Sequence, residues 1–159
     1  MPATPMAASS RYFRRGITVV YWVPTIASKS APTRSELNAG TDLSGEVADI
    51  DGWQVTSNTV DTPALASLFT GKINGATEAD NSSLTFYSDL GSVDVRSLLQ
   101  RGTRGFVVWM DEGDTTGLLM DVFPVQVISA PKQRGLDDPA RIMIQFAVTS
   151  EPAENVTVP

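Results

Sequence analysis

The chain has 159 residues, 42% of them hydrophobic, with no cysteine, no histidine and a formal net charge of −6. That length and apolar content suffice to bury one core. The missing Cys and His remove disulfides, thiolate metal sites, the usual imidazole base and the Ser/His and Cys/His dyads. An acidic chain lacks the concentrated basic surface that clamps DNA phosphates, and without a run of about 18 apolar residues no membrane-spanning helix is expected. The N-terminus has no apolar core followed by a cleavage site, so no secretory signal is predicted.

Residues 1–14, with Pro2, Pro5 and several small side chains, are predicted to be a flexible or partner-ordered arm. The basic cluster Arg11, Arg14 and Arg15 is either a solvated flank of the first strand or a contact with an acidic neighbour, including another copy of this chain. Residues 17–23, β-branched and aromatic throughout, read as a strand covered on both faces, or covered on one and buried in an interface on the other. Pro24 ends it. Residues 31–40 then hold a short helix, with Thr33 and Glu36 at capping-box spacing, Gly40 as the stop and Leu37 as the packing contact.

The segment 40–63 is long for a connection. Val47, Ile50, Trp53 and Val55 predict one or two strands interrupted at Asp51-Gly52, a turn signal. Asp42, Glu46, Asp49 and Asp51 lack the spacing of a calcium loop and read as solvated turn carboxylates. Residues 63–76 are expected to form a strand with Phe69 and Ile73 on one face and Thr70, Lys72 and Asn74 on the other. Paired with residues 82–89, it would make a hairpin tipped by ATEADN.

Between Asn81 and Arg101 the hydrophobic period changes from two to three and a half. Leu84 and Phe86 alternate with Thr85 and Tyr87 as in a strand, and Asp89 and Gly91 break it. Ser92 is placed to cap a helix whose Val95, Leu98 and Leu99 share one stripe, with Asp94 in its first turn and Gly102 just past its end. This is expected to be the best-formed helix of the chain.

Residues 105–111 alternate Phe106, Val108 and Met110 against Val107 and Trp109, a strand with little polarity on either face. Residues 111–117 read as an exposed hairpin tip. Residues 118–130 form a long strand in which Pro124 requires an edge, a bulge or a bend. In residues 141–149, Ile142, Ile144, Phe146 and Val148 oppose Arg141, Met143, Gln145 and Thr149, so one face meets the core and the other meets water or a partner.

Seven or eight strands and two short helices result: a mainly β fold, a β-sandwich or barrel-like sheet with a helix packed on it. A single domain spans residues 15–150, between the N-terminal arm and a C-terminal arm at 151–159. No phosphate loop, dinucleotide fingerprint, zinc spacing or nucleophile elbow occurs, and no catalytic, cofactor-binding or metal-ligating residue is assigned.

The runs PTRSELNAGTDLSGEVADIDGWQVTSNTVDTPALASLFTGKINGATEADNSSLTFYSD, DVRSLLQRGTRGFVVW, MDVFPVQVIS and ARIMIQFAVTSEPAENVTVP, in that order, resemble the major tail protein, or tail tube protein, of long-tailed bacteriophages, in the form found in phages of actinobacteria. The resemblance implies a β-sandwich protomer with a flanking helix whose sheets complete a β-barrel in a hexameric ring. Stacked rings would form the tail tube of the virion, the conduit for DNA ejection. It further implies a structural role without catalysis or cofactor, tape-measure, terminator and distal tail proteins as partners, and only transient, non-specific passage of DNA. Arg11, Arg14, Arg15, Thr70, Lys72, Asn74, Thr85, Gln145 and Thr149 are then candidates for inter-subunit or lumen positions. Segments 40–63 and 76–82, with the two arms, are candidates for ring-to-ring contacts that order on assembly. The alternative is a monomeric β-sandwich binding or virion decoration module, because fold does not fix function. A carboxylate-based hydrolase would need an acid/base pair that the sequence does not display.

Overall fold

A computed structural model describes residues 1–159. The strands in chain order are β1 (Val19–Val23), β2 (Thr41–Asp42), β3 (Val47–Asp51), β4 (Val55–Thr62), β5 (Gly71–Ala79), β6 (Ser82–Tyr87), β7 (Arg104–Met110), β8 (Leu119–Ser129), β9 (Lys132–Gln133), β10 (Arg141–Val148) and β11 (Ala153–Thr157). Two short helices, α1 (Arg34–Asn38) and α2 (Val95–Leu98), accompany them. Nine strands share one antiparallel sheet in the order β2-β1-β7-β8-β10-β6-β3, with β11 added to β8 and β9 to β10. Strands β4 and β5 form a separate two-stranded ribbon.

The end strands β2 and β3 do not pair, yet only residues 43–46 separate them in sequence. The sheet therefore rolls until its ends meet at a covalent bridge, an open roll instead of a closed barrel. The bridge is fixed by Leu43, which is buried and donates its N–H to the Val20 carbonyl at 2.9 Å, and by Ser44 Oγ, which accepts from Val20 N at 2.9 Å.

Strand alternation divides the core in two. The roll is filled by Val20 and Trp22 from β1, Val107 and Trp109 from β7, Phe123, Val125 and Val127 from β8, Ile142, Ile144 and Phe146 from β10, and Leu84 and Phe86 from β6. The other face of the central strands presents Val23, Val108, Met110, Met120 and Val122 to a second layer made by Ile26, Leu37 of α1, and Val156 and Val158. Strands β1 and β7 are thus apolar on both faces because both faces are covered, which for β1 is one of the two readings its sequence allows.

Strand β8 is the spine, and Pro124 marks a change of partner along it. β7 runs along one edge of β8 from Asp121 to Gln126. The other edge pairs first with β11, Val122 opposite Ala153, and then with β10 from Val125 opposite Val148. Pro124 sits at the handover, where its carbonyl accepts from Thr149 N at 2.9 Å. In an antiparallel ladder the N and C=O of one residue face the same neighbour, so its missing N–H falls where the ladder is interrupted in any case.

Three expectations are corrected. Residues 63–70 are the loop of the β4–β5 ribbon; the second ribbon strand is Gly71–Ala79, and it pairs with β4, not with β6. The sequence GKINGATEA has no apolar alternation with which to enter the core, whereas Leu84 and Phe86 draw β6 between β3 and β10. The C-terminal residues are no arm: β11 joins the main sheet, and Val156 and Val158 are buried. Finally, Asp94 and not Ser92 caps α2, its Oδ1 accepting from Arg96 N at 3.1 Å. Ser92 has φ 64° inside a turn that Asp89 closes by accepting from Val93 N, and α2 is left with four residues. The better helix end is at α1, where Thr33 and Glu36 form the reciprocal capping box and Leu37 is 1% exposed.

Candidate functional site

No three or more acidic side chains converge as a metal site would require. The ion pairs are Arg14–Asp111, Arg34–Asp114 and Lys72–Asp61. What distinguishes the surface is unsatisfied apolar area and open strand edges, which points to assembly.

The β4–β5 ribbon forms no ladder with the main sheet, and neither strand contains a fully buried residue. Val60 and Ile73 stand directly opposite each other, 50% and 58% exposed. At the loop, Leu65 and Leu68 are wholly exposed and Phe69 is 80% exposed. Local bonds hold the ribbon's shape: Ser57 Oγ lies 3.0 Å from Thr77 Oγ1, Asn58 donates to Glu78, and Lys72 pairs with Asp61. An isolated two-stranded ribbon is marginal in water, and its exposed apolar side chains make it a candidate contact surface.

A second exposed apolar group, Leu90, Val93 and Leu98, lies beside a groove between the β2 bridge and the segment after β6. The groove also carries Asp42, Glu46, Asp89 and Asp94. The N-terminal residues contribute no element of regular structure before Arg14, and Phe13 is 85% exposed.

The candidate positions fall in three places. Arg11 and Arg15 are exposed on or beside the arm, while Arg14 is held by Asp111, which raises its guanidinium pKa mainly through their hydrogen bond. Thr70, Lys72 and Asn74 do come together, exposed at the distal half of the ribbon. On the main sheet, Thr85 is buried, Gln145 is half-buried and accepts from Ser129 Oγ at 2.7 Å, and Thr149 is exposed with its N–H committed to Pro124.

Sequence reasoning missed Leu65, Leu68 and Val60 as surface residues. Their signal was apolar side chains in a stretch that follows neither a helical nor a strand period. It also missed the cluster of Tyr21, Arg34 and Asp114, whose hydroxyl–carboxylate bond spans 93 residues and whose ion pair spans 80. The tip at residues 111–117 is accordingly more than an exposed turn, since Asp114 is engaged from two other elements.

Comparison with known proteins gives a family and a fold. The family model described as phage tail tube protein matches residues 6–159. No protein of curated function matches the chain in sequence. Among solved structures, the sheath/tube terminator of an extracellular contractile injection system, PVC, in its extended state, is similar at TM-score 0.62 and 10% identity, over 91% of this chain and 97% of that chain. A chain of the anti-feeding prophage baseplate is similar at TM-score 0.57 and 10% identity, over 91% and 95% respectively. At such identity these two structures establish a shared fold, and the family match carries the identification. With a family match over nearly its whole length, the chain belongs to the phage tail tube protein family and is a structural protein of the virion tail.

Proposed function

We propose that the protein polymerises as hexameric rings that stack into the tail tube, the conduit for DNA ejection. The observation that carries this reading is the β4–β5 ribbon, which displays Val60, Leu65, Leu68, Phe69 and Ile73 with no surface of its own chain to cover them. A projecting apolar element that fits a different patch on an identical copy makes a heterologous contact, and such contacts close into rings or continue as filaments. The edges β2 and β3, open in one copy, are available to neighbours in the ring. Thr70, Lys72 and Asn74 border the ribbon contact, and a net charge of −6 disfavours adhesion of passing DNA. The role is structural, without catalysis, and the tube meets terminator, tape-measure and distal tail proteins at its ends.

Electron microscopy and light scattering of the purified protein test it. Rings, or tubes of constant axial repeat, are expected from the wild type. Leu68→Asp combined with Phe69→Asp should keep the melting temperature and abolish assembly. A wild-type protein that stays monomeric at high concentration, with and without a terminator seed, would return the reading to a monomeric decoration module.

A further inference from the structure

We infer that the N-terminal arm of one protomer docks in the acid-rimmed groove of a second copy, an inference that rests on the assembly reading above. The groove is rimmed by Asp42, Glu46, Asp89 and Asp94, with Val93 and Leu98 offering apolar surface between them. No Lys or Arg lines it, and none of these carboxylates takes part in an ion pair. Four like charges around an apolar trough call for a cationic, partly apolar occupant.

The chain carries such a segment. Residues 1–15 contain three arginines and no carboxylate, so the remainder of the chain holds the whole acidic excess. Within the segment Phe13 and Tyr12 are 85% and 44% exposed, and Arg11 and Arg15 have no anionic partner. Arginine planes beside aromatic rings fit a groove that mixes carboxylates with aliphatic side chains.

Topology favours a second copy. Arg14 anchors the arm to Asp111, just past the C-terminal end of β7. β6 runs antiparallel to β10, β10 to β8 and β8 to β7, so the groove's wall at Phe86 and Tyr87 lies at the end of β6 that points away from Asp111, while its other wall, Thr41 and Asp42, pairs through Trp22 and Tyr21 with Val107 and Val108, part-way along β7. An arm rooted at one end of the sheet and a receptor displaced along the strands from that root make a head-to-tail joint that repeats along an axis. Thirteen extended residues span roughly 40 Å, enough to reach a neighbour.

The test uses full-length protein. With a photo-crosslinking phenylalanine analogue at position 13, irradiated assemblies should yield a peptide joining the arm to residues 88–98, and isotope-mixed assemblies should place that joint between chains. Arg11→Glu with Arg15→Glu, or Glu46→Arg with Asp89→Arg, should each raise the critical concentration for assembly at least roughly fivefold at low salt. All four changes in one chain should bring it back to near the wild-type value, and the difference should fade in 1 M salt, where the screening length is about 3 Å. A joint within one chain or to another surface, or a critical concentration that neither pair of substitutions moves, overturns the inference while wild-type assembly leaves the tube reading standing. A wild type that does not assemble overturns both.

Discussion

The guanidinium of Arg34 forks onto Asp114, with Nη1 2.7 Å from Oδ1 and 2.9 Å from Oδ2, while Nε and Nη2 donate at 3.1 and 2.8 Å to the main-chain oxygen of Pro159. One side chain on α1 therefore ties down the β7–β8 turn and the last residue of the chain, and Thr116 Oγ1 adds a bond to the same Pro159 oxygen. Arg34 and Asp114 are 35% and 21% exposed, so solvent screens part of the attraction. Arg34→Ala is expected to lower stability by about 1–2 kcal/mol in urea unfolding and to expose residues 153–159 to protease. Arg34→Lys keeps the charge but not the fork and should recover only part of the loss.

Tyr21 donates its hydroxyl to Asp114 Oδ2 at 2.9 Å, and burial, followed by this bond and the adjacent carboxylate charge, lifts its pKa from 10.0 to about 12. The folded state holds this proton more tightly than the unfolded chain does. Its stabilisation is therefore complete below pH 10 and is lost as the pH rises through about 12. Tyr21→Phe should remove that alkaline step from a stability–pH profile, and the phenolate absorbance missing from the variant should titrate near pH 12.

Gly40 reads in the sequence as a helix stop, but the constraint on it comes from β1. A Cβ there would stand 2.7 Å from the Trp22 carbonyl oxygen, 2.9 Å from Val23 Cγ2 and 3.1 Å from the Leu37 carbonyl oxygen. Two of those atoms are backbone and cannot rotate away. Gly40→Ala should cost about 1–3 kcal/mol through overpacking, measured by thermal or chemical unfolding.

Phe146 is fully buried, with Trp53 at 5.4 Å and Trp22 at 6.3 Å between ring centroids. Phe146→Ala should lose about 3–5 kcal/mol, and Phe146→Asp, which buries an unpaired charge there, should give no folded protein by circular dichroism. Deletion of the residues before Arg11, which contribute no regular structure, should leave the melting temperature unchanged and weaken the stacking of rings.

Much of the main sheet was legible because its strands carry their instructions locally. The alternation of Ile142, Ile144 and Phe146 placed β10 within one residue of its end, and the Thr33/Glu36 spacing fixed the start of α1. The β4–β5 ribbon was misassigned because residues 63–76 contain apolar side chains that never become buried. Burial was the premise by which their pattern was read, and for side chains left exposed that premise does not hold.

The sequence by itself determined the mainly β class, the absence of thiol and imidazole chemistry, and the low polarity of both faces of β1 and β7, since these follow from composition and from the alternation of neighbouring side chains. Only the tertiary structure decided that β5 pairs with β4, that residues 153–157 complete the sheet, and that Arg34 meets Asp114 across 80 residues. Those outcomes depend on which strand edges remain free once the roll has formed, a competition among distant segments that no local pattern encodes.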